Sequence, residues 1–330
     1  MAKRTLIEQL DEAVDAIITR GDAPPSTADQ RLATLAGVAV DLRDLPDEGF
    51  RLRLKADLER RAGMSGKPKT AAIPEGFHTI TPYLQVEGAA RLIDFVKAAF
   101  QAEETIRVPL PDGSLMHACV RIGDSMVEMA DAGGEIPATP IAIHLYVQDA
   151  DAAYERALRA GAASIKPPED MFYGDREAGV KDPVGNNWYI ATHLTREEGS
   201  VAGYIPAGLH SVTPYLHPRG AGRLIDFLTQ AFAADQVQRE ASPDGTIVHA
   251  KVRIGDSILE MGEAHGEIHP MPAAIHLYVE DADVVYRSAI KAGANSLFEP
   301  RDEPYGDRVG GVTDPSGNCW YIATHKKAQR

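Results

Sequence analysis

The sequence predicts an α+β protein made of two tandem units behind an N-terminal helical segment, and three observations carry that prediction. First, the stretch Ile73 to His193 recurs 132 positions later without a gap. Ile73-Pro74-Glu75-Gly76 is matched by Ile205-Pro206-Ala207-Gly208, Thr81-Pro82-Tyr83-Leu84 by Thr213-Pro214-Tyr215-Leu216, and Trp188-Tyr189-Ile190-Ala191-Thr192-His193 by Trp320-Tyr321-Ile322-Ala323-Thr324-His325. A period this long marks a duplicated domain; solenoid repeats are several-fold shorter. Second, the apolar spacing within each copy switches between 2 and 3.6 residues, the periods of strand and helix. Third, the switching reads β-α-β-β-β twice per copy, so each unit (73–194 and 205–326) is a pair of modules whose strands have one apolar face for helices to cover.

Residues 1–65 have no second copy. Ile7, Leu10, Val14 and Ile17 fall at helical spacing, as do Leu32, Leu35, Ala39 and Leu42, then Phe50, Leu54 and Leu58. These are expected to form a small helical hairpin or triplet that docks on the units or on another protomer, joined to them by a Gly/Ser/Pro linker at 63–69. In the first unit Thr79–Val86 alternates, with Ile80, Pro82, Leu84 and Val86 on one face and Thr81, Tyr83 and Gln85 on the other. Ala89, Leu92, Ile93, Val96 and Phe100 form a helical stripe. Strands are expected near 104–109, 115–122 and 125–130, with Pro111-Asp112-Gly113 as a hairpin turn. The second module runs from a strand at 142–147 into a helix with Asp149 as N-cap and Gly161 as C-terminal cap. Strands near 163–167 and 176–181 follow, and Asp182-Pro183-Val184-Gly185-Asn186 turns into a last strand at 187–193.

A formal net charge of −14 argues against nucleic acid or an anionic membrane surface as partner. No window has a membrane-spanning apolar length, and the first residues turn acidic too soon for a signal peptide. Cys119 and Cys319 are not equivalent in the repeat, their counterparts being Lys251 and Asn187, so neither a repeated disulfide nor a repeated thiolate site is expected. The expected location is the cytoplasm.

Paired β-α-β-β-β modules with these landmarks resemble the glyoxalase/bleomycin-resistance/dioxygenase (vicinal oxygen chelate) superfamily. The supporting residues are Thr81–Val86 leading into a helix, Ile143-His144-Leu145-Tyr146-Val147-Gln148-Asp149-Ala150-Asp151, and the Asp182–Asn186 turn, each with its copy in the second unit. The resemblance implies curved sheets around a cleft, and metal ligands on the first, fourth, fifth and eighth strands. Those positions read Thr81, Glu128, Ala142 and Tyr189 in the first unit, and Thr213, Glu260, Ala274 and Tyr321 in the second. Only the glutamates are good ligands for a divalent ion. Single-unit members imply a homodimer, and a tandem chain then resembles that dimer made covalent, an intrachain pseudo-dimer open to further homo-oligomerisation. The stretch between the units, Thr195–Tyr204, fits either side-by-side units or an exchange of modules.

Strand alternation proposes its own site. It sets Tyr83, His117, Arg121, Glu128, His144, Tyr146 and Tyr189 toward one cleft, and Tyr215, His249, Arg253, Glu260, His276, Tyr278 and Tyr321 toward the other. Three readings follow. In the first, the clefts bind or process a small molecule without the usual metal set, through an acid/base glutamate–histidine group, an arginine for an anionic substituent, and tyrosine faces. In the second, the chain is a metal-dependent lyase, isomerase or dioxygenase in which a rearranged set of His117, Glu128 and His144, repeated as His249, Glu260 and His276, holds zinc, nickel or iron. In the third, the helical prefix recruits a partner to a scaffold. Tyr173-Gly174-Asp175-Arg176, repeated as Tyr305-Gly306-Asp307-Arg308, is expected to be a turn with a local Asp–Arg pair or a lip over the cleft.

Overall fold

The computed structural model describes residues 73–133, 137–194, 203–266 and 268–326. The expected helical prefix, 1–65, lies outside the described residues. From Ala71 onward the chain forms one compact unit. Its four modules are β1 (Ile80–Val86), α1 (Ala89–Phe100), β2 (Glu103–Pro109), β3 (Leu115–Ile122) and β4 (Ser125–Asp131); then β5 (Ala142–Tyr146), α2 (Ala150–Arg159), β6 (Ala163–Asp170), β7 (Asp175–Lys181) and β8 (Asn187–His193). The second copy gives β9 (Val212–Leu216), α3 (Ala221–Phe232), β10 (Asp235–Ala241), β11 (Ile247–Ile254) and β12 (Ser257–Met261), followed by β13 (Ala274–Tyr278), α4 (Ala282–Lys291), β14 (Asn295–Asp302), β15 (Asp307–Thr313) and β16 (Cys319–His325).

The expected helix cap and the Asp182 turn form where the sequence placed them. Asp149 caps α2, accepting from the backbone N–H of Ala152 at 2.9 Å, and Gly161 follows the helix in the left-handed region that favours glycine. Asp182 organises its turn by accepting from the N–H groups of Val184 and Asn186, the Asn186 amide and the Trp188 indole, at 2.8–3.0 Å. Asp314 repeats the network. The start of α1 is capped from the neighbouring strand: the Asp131 carboxylate accepts from the N–H groups of Gly88 and Ala89. Glu263 does the same for α3.

The modules do not pair within their own unit. One eight-stranded sheet runs β14-β15-β16-β13-β1-β4-β3-β2, the other β10-β11-β12-β9-β5-β8-β7-β6. Each sheet therefore joins a module of the first unit to a module of the second. The seam of the first sheet pairs β1 with β13 antiparallel, Thr81 opposite His276; the seam of the second pairs β5 with β9, His144 opposite Thr213. Of the two arrangements that the sequence allowed, the structure adopts module exchange. β1 would otherwise leave an open edge at the end of its module, which an antiparallel partner closes. β5 and β13 have the identical sequence Ala-Ile-His-Leu-Tyr, so either offers the same face to that edge.

Apolar strand faces and helix stripes merge into one core that includes Leu84, Leu92, Val127, Ile143 and Trp188, with Leu216, Leu224, Leu259, Ile275 and Trp320 from the second copy. Phe100 of α1 lies 4.8 Å from Trp188 between ring centroids, and Phe232 repeats the contact with Trp320. The pseudo-twofold junction carries a stacked pair, His78 and His210, whose centroids are 3.5 Å apart. His78 reaches Asp256 at 3.3 Å, and His210 reaches Asp124 at 3.1 Å.

Candidate functional site

Module exchange redistributes the expected site residues. On the face away from the core, the first sheet brings Tyr83 (β1), His117 and Cys119 (β3) and Glu128 (β4) together with His276 and Tyr278 (β13) and Tyr321 (β16). The register explains the meeting: Tyr83 lies opposite Glu128, Glu128 opposite Cys119, and His276 opposite Tyr321. His276 Nδ1 is 2.7 Å from Glu128 Oε2, and both side chains are buried. The Tyr83 and Tyr321 rings meet edge to face at 5.4 Å, and Tyr278 stacks on His276 at 4.5 Å.

The second sheet builds the counterpart from Tyr215 (β9), His249 and Lys251 (β11), Glu260 (β12), His144 and Tyr146 (β5) and Tyr189 (β8). His144 Nδ1 is 2.7 Å from Glu260 Oε2, and Tyr189 and Tyr215 meet at 5.6 Å.

This corrects the grouping expected from the sequence. His144, Tyr146 and Tyr189 do not share a cleft with Tyr83, His117 and Glu128, and a metal set of His117, Glu128 and His144 is not assembled. His276 stands where His144 was expected, because β13 rather than β5 lies beside β1. The arginines also leave the group. Arg121 shares the His117 face but sits at the hairpin end of β3, exposed and paired with Glu103. Arg253 is likewise exposed.

The expected local Asp–Arg pair in Tyr173–Arg176 is absent. Asp175 is buried, accepting from the Tyr146 hydroxyl at 2.9 Å and meeting His193 Nδ1 at 2.5 Å, while Arg176 turns outward to Asp151 and Asp170. Tyr173 donates to Glu177 at 3.0 Å, and Glu177 lies 3.5 Å from His144 Nε2, so this loop does border the second cleft.

Two charged side chains beside the His144–Glu260 pair were missed by the sequence reading, Lys251 and Glu177. Lys251 Nζ is 3.0 Å from Glu260 Oε1. Their counterparts in the first cleft are Cys119 and Val309. The repeat itself held the signal: few positions on these faces differ between the copies, and these two differ in charge.

The electrostatics follow from burial and pairing. Burial works against charge on His276 and His144, but the adjacent carboxylate outweighs it and raises both above the ordinary histidine value. Burial likewise works against ionisation of Glu260, yet His144 and Lys251 together hold it at about 2. Burial lowers His117 and His249, keeping both imidazoles neutral at pH 7, and raises Tyr83, Tyr215 and Tyr278, which remain phenols. Among the described residues, none is a hydrogen-bond partner for the buried Nε2 of His276.

The superfamily's ligand positions are occupied by Thr81, Glu128, Ala274 and Tyr321 around the first cleft, and by Thr213, Glu260, Ala142 and Tyr189 around the second. Alanine has no donor atom, and Tyr321 is already bonded to the Gln85 amide at 2.8 Å. The usual metal set therefore does not fit this chain.

Fold and duplication together define a tandem protein of the vicinal-oxygen-chelate type. The family model described as Glyoxalase/Bleomycin resistance protein/Dioxygenase superfamily matches residues 76–190 and 219–322, and the chain belongs to that superfamily. An uncharacterized protein of Mycobacterium bovis is 43% identical over 122 residues, covering 34% of this chain and 80% of its own length. An uncharacterized protein of Mycobacterium tuberculosis matches at the same identity over 72% of its length. Among solved structures, glyoxalase I from Zea mays superposes with a TM-score of 0.55 at 16% identity, covering 74% of this chain and 92% of that one. A putative dioxygenase from Bacillus subtilis superposes at 0.51 and 14% identity, covering 76% and 86%. At these identities the two superpositions speak for the fold alone.

Proposed function

We propose that the chain binds small molecules in its two composite clefts, using the Glu–His pairs as anchors in place of the superfamily's usual metal set. The supporting observation is the buried, unpartnered Nε2 of His276. With Nδ1 engaged by Glu128, the imidazolium presents its second N–H as a charged donor, and such bonds are roughly twice as strong as neutral ones. Tyr83, Tyr278 and Tyr321 supply flat walls with polar tips. This combination suits a flat molecule bearing a carboxylate or similar acceptor. A second reading, acid–base catalysis on the bound molecule, is favoured by the raised pKa of His276 and His144, which leaves a proton available near neutral pH.

The test is a thermal-shift and titration panel of aromatic carboxylates beside their neutral amide isosteres, on metal-free protein and on the His144→Gln/His276→Gln double variant. Carboxylates are expected to bind the parent at least tenfold more tightly than the amides, and the double variant is expected to lose that preference. Equal binding of acids and amides, or an unchanged preference in the variant, overturns the anchoring role.

A further inference from the structure

The two clefts differ at the position facing the buried glutamate across the sheet. In the second cleft it is Lys251, whose ammonium is 3.0 Å from Glu260 Oε1, with His249 Nε2 4.0 Å from the same oxygen. In the first cleft it is Cys119, opposite Glu128 on the adjacent strand. Cys119 is buried, and its Sγ is 3.3 Å from His117 Nε2. One nitrogen of His117, the thiol of Cys119 and one carboxylate oxygen of Glu128 all lie within 4.8 Å of one another.

We propose that the first cleft holds one zinc-class ion between His117, Cys119 and Glu128, while in the second cleft the Lys251 ammonium takes the cation's place. Four features argue for this. Nitrogen, sulfur and oxygen ligands around a tetrahedral zinc stand about 3.4–3.6 Å apart, given metal–ligand bonds of about 2.0–2.3 Å. The His117–Cys119 separation, 3.3 Å, lies just under that range, and small side-chain adjustments open it and bring in the glutamate. The donor set is also selective, because a thiolate with an imidazole favours zinc over magnesium or calcium.

The outer contacts fit as well. His276 Nδ1 binds one oxygen of Glu128, the arrangement by which a histidine–carboxylate pair orients a metal ligand. The charges balance: a divalent ion with one thiolate, one carboxylate and one neutral imidazole is neutral, and binding releases the Cys119 proton to solvent. Three protein ligands leave a fourth position open to water or to a bound molecule. This set is displaced from the superfamily's usual positions, taking two of its three ligands from β3. In the second cleft Lys251 stands in place of the thiol and sets its ammonium 3.0 Å from the carboxylate, so the sulfur ligand is missing and a fixed cation occupies its side of the glutamate.

The inference rests on the clefts being functional sites, but its readout is independent of small-molecule binding. Protein purified without a chelating tag is stripped, loaded with zinc, dialysed and analysed for metal content. A cobalt-loaded sample is scanned for thiolate-to-metal charge-transfer absorption. One ion per chain with a thiolate band is expected. Cys119→Ser is expected to lose the band and at least tenfold in affinity, and Cys119→Lys, which copies the second cleft, to bind no zinc. Lys251→Cys is expected to bind two ions. His210→Gln, at the other histidine–aspartate cluster, is expected to keep the single ion. Absence of metal, two ions in the parent chain, or full zinc content in Cys119→Lys overturns the proposal. Circular dichroism separates each result from unfolding. Zinc binding without carboxylate binding would overturn only the small-molecule reading, and the reverse result only the metal.

Discussion

Replacing Glu260 by glutamine tests whether the buried Glu–His pairs stabilise the composite sheets. Glu260 is 1% exposed and accepts from His144 at 2.7 Å while Lys251 lies at 3.0 Å. Holding a carboxyl at about 2 instead of its ordinary 4.5 corresponds to about 3 kcal/mol of preference for the ionised form at neutral pH. Removing one partner of a buried ion pair independently leads to a loss of about 3–5 kcal/mol. The sign of the pH dependence follows from both groups. A depressed carboxyl contributes fully above about pH 4.5 and loses its contribution as pH falls toward 2. A raised histidine contributes fully below about 6.5 and loses its contribution as pH rises through the raised value. The cost of Glu260→Gln is therefore greatest between about pH 4.5 and 6.5, near 3 kcal/mol, and falls to under about half of that by pH 3. Urea unfolding of parent and variant at pH 5.5 and pH 3 measures it. A loss below about 1 kcal/mol at pH 5.5, or the same loss at both pH values, would refute the reasoning.

Other consequences can be checked in the same way. Asp182→Ala removes the acceptor for four donors in a buried turn, and is expected to cost about 3 kcal/mol or more by denaturant unfolding. Gly123 has φ +61°, and a Cβ there would lie 2.1 Å from the Ser211 hydroxyl oxygen across the junction between the units; Gly123→Ala is expected to cost about 2 kcal/mol, read as a lowered Tm. His210 is raised because Asp124, with Asp256 nearby, outweighs its burial. Its contribution is therefore present below about pH 6.5 and lost as pH rises, so His210→Gln should destabilise more at pH 5.5 than at pH 9. Residues 73–194 expressed alone should form a homodimer in sedimentation, since β1 and β5 both find their seam partners in the other unit; a folded monomer would show that exchange is dispensable.

Much of the architecture was legible because it is written in local patterns. The Asp149 cap, the Asp182 turn and the helical stripe from Ala89 to Phe100 each depend on residues a few positions apart, and all formed where their spacing placed them. Alternation correctly set Tyr83, His117 and Glu128 on one face of adjacent strands. It failed at Arg121, because sharing a face says nothing about distance along it, and the hairpin end of β3 carries that side chain out to Glu103. The local Asp–Arg pair expected of a turn at 173–176 did not form because Asp175 and Arg176 open β7, where neighbours point to opposite faces, one into the interior and the other to solvent.

By itself, then, the sequence determined the duplication, the four modules and the residue types available to the clefts, since these follow from period and local chemistry. Only the tertiary structure decided which histidine meets which glutamate. β5 and β13 are identical in sequence, so nothing local distinguishes His144 from His276 as the partner of Glu128. That choice belongs to strand pairing between segments far apart in the chain. The difference between Cys119 and Lys251, by contrast, was already written in the sequence, because each faces its glutamate across a hairpin of its own module.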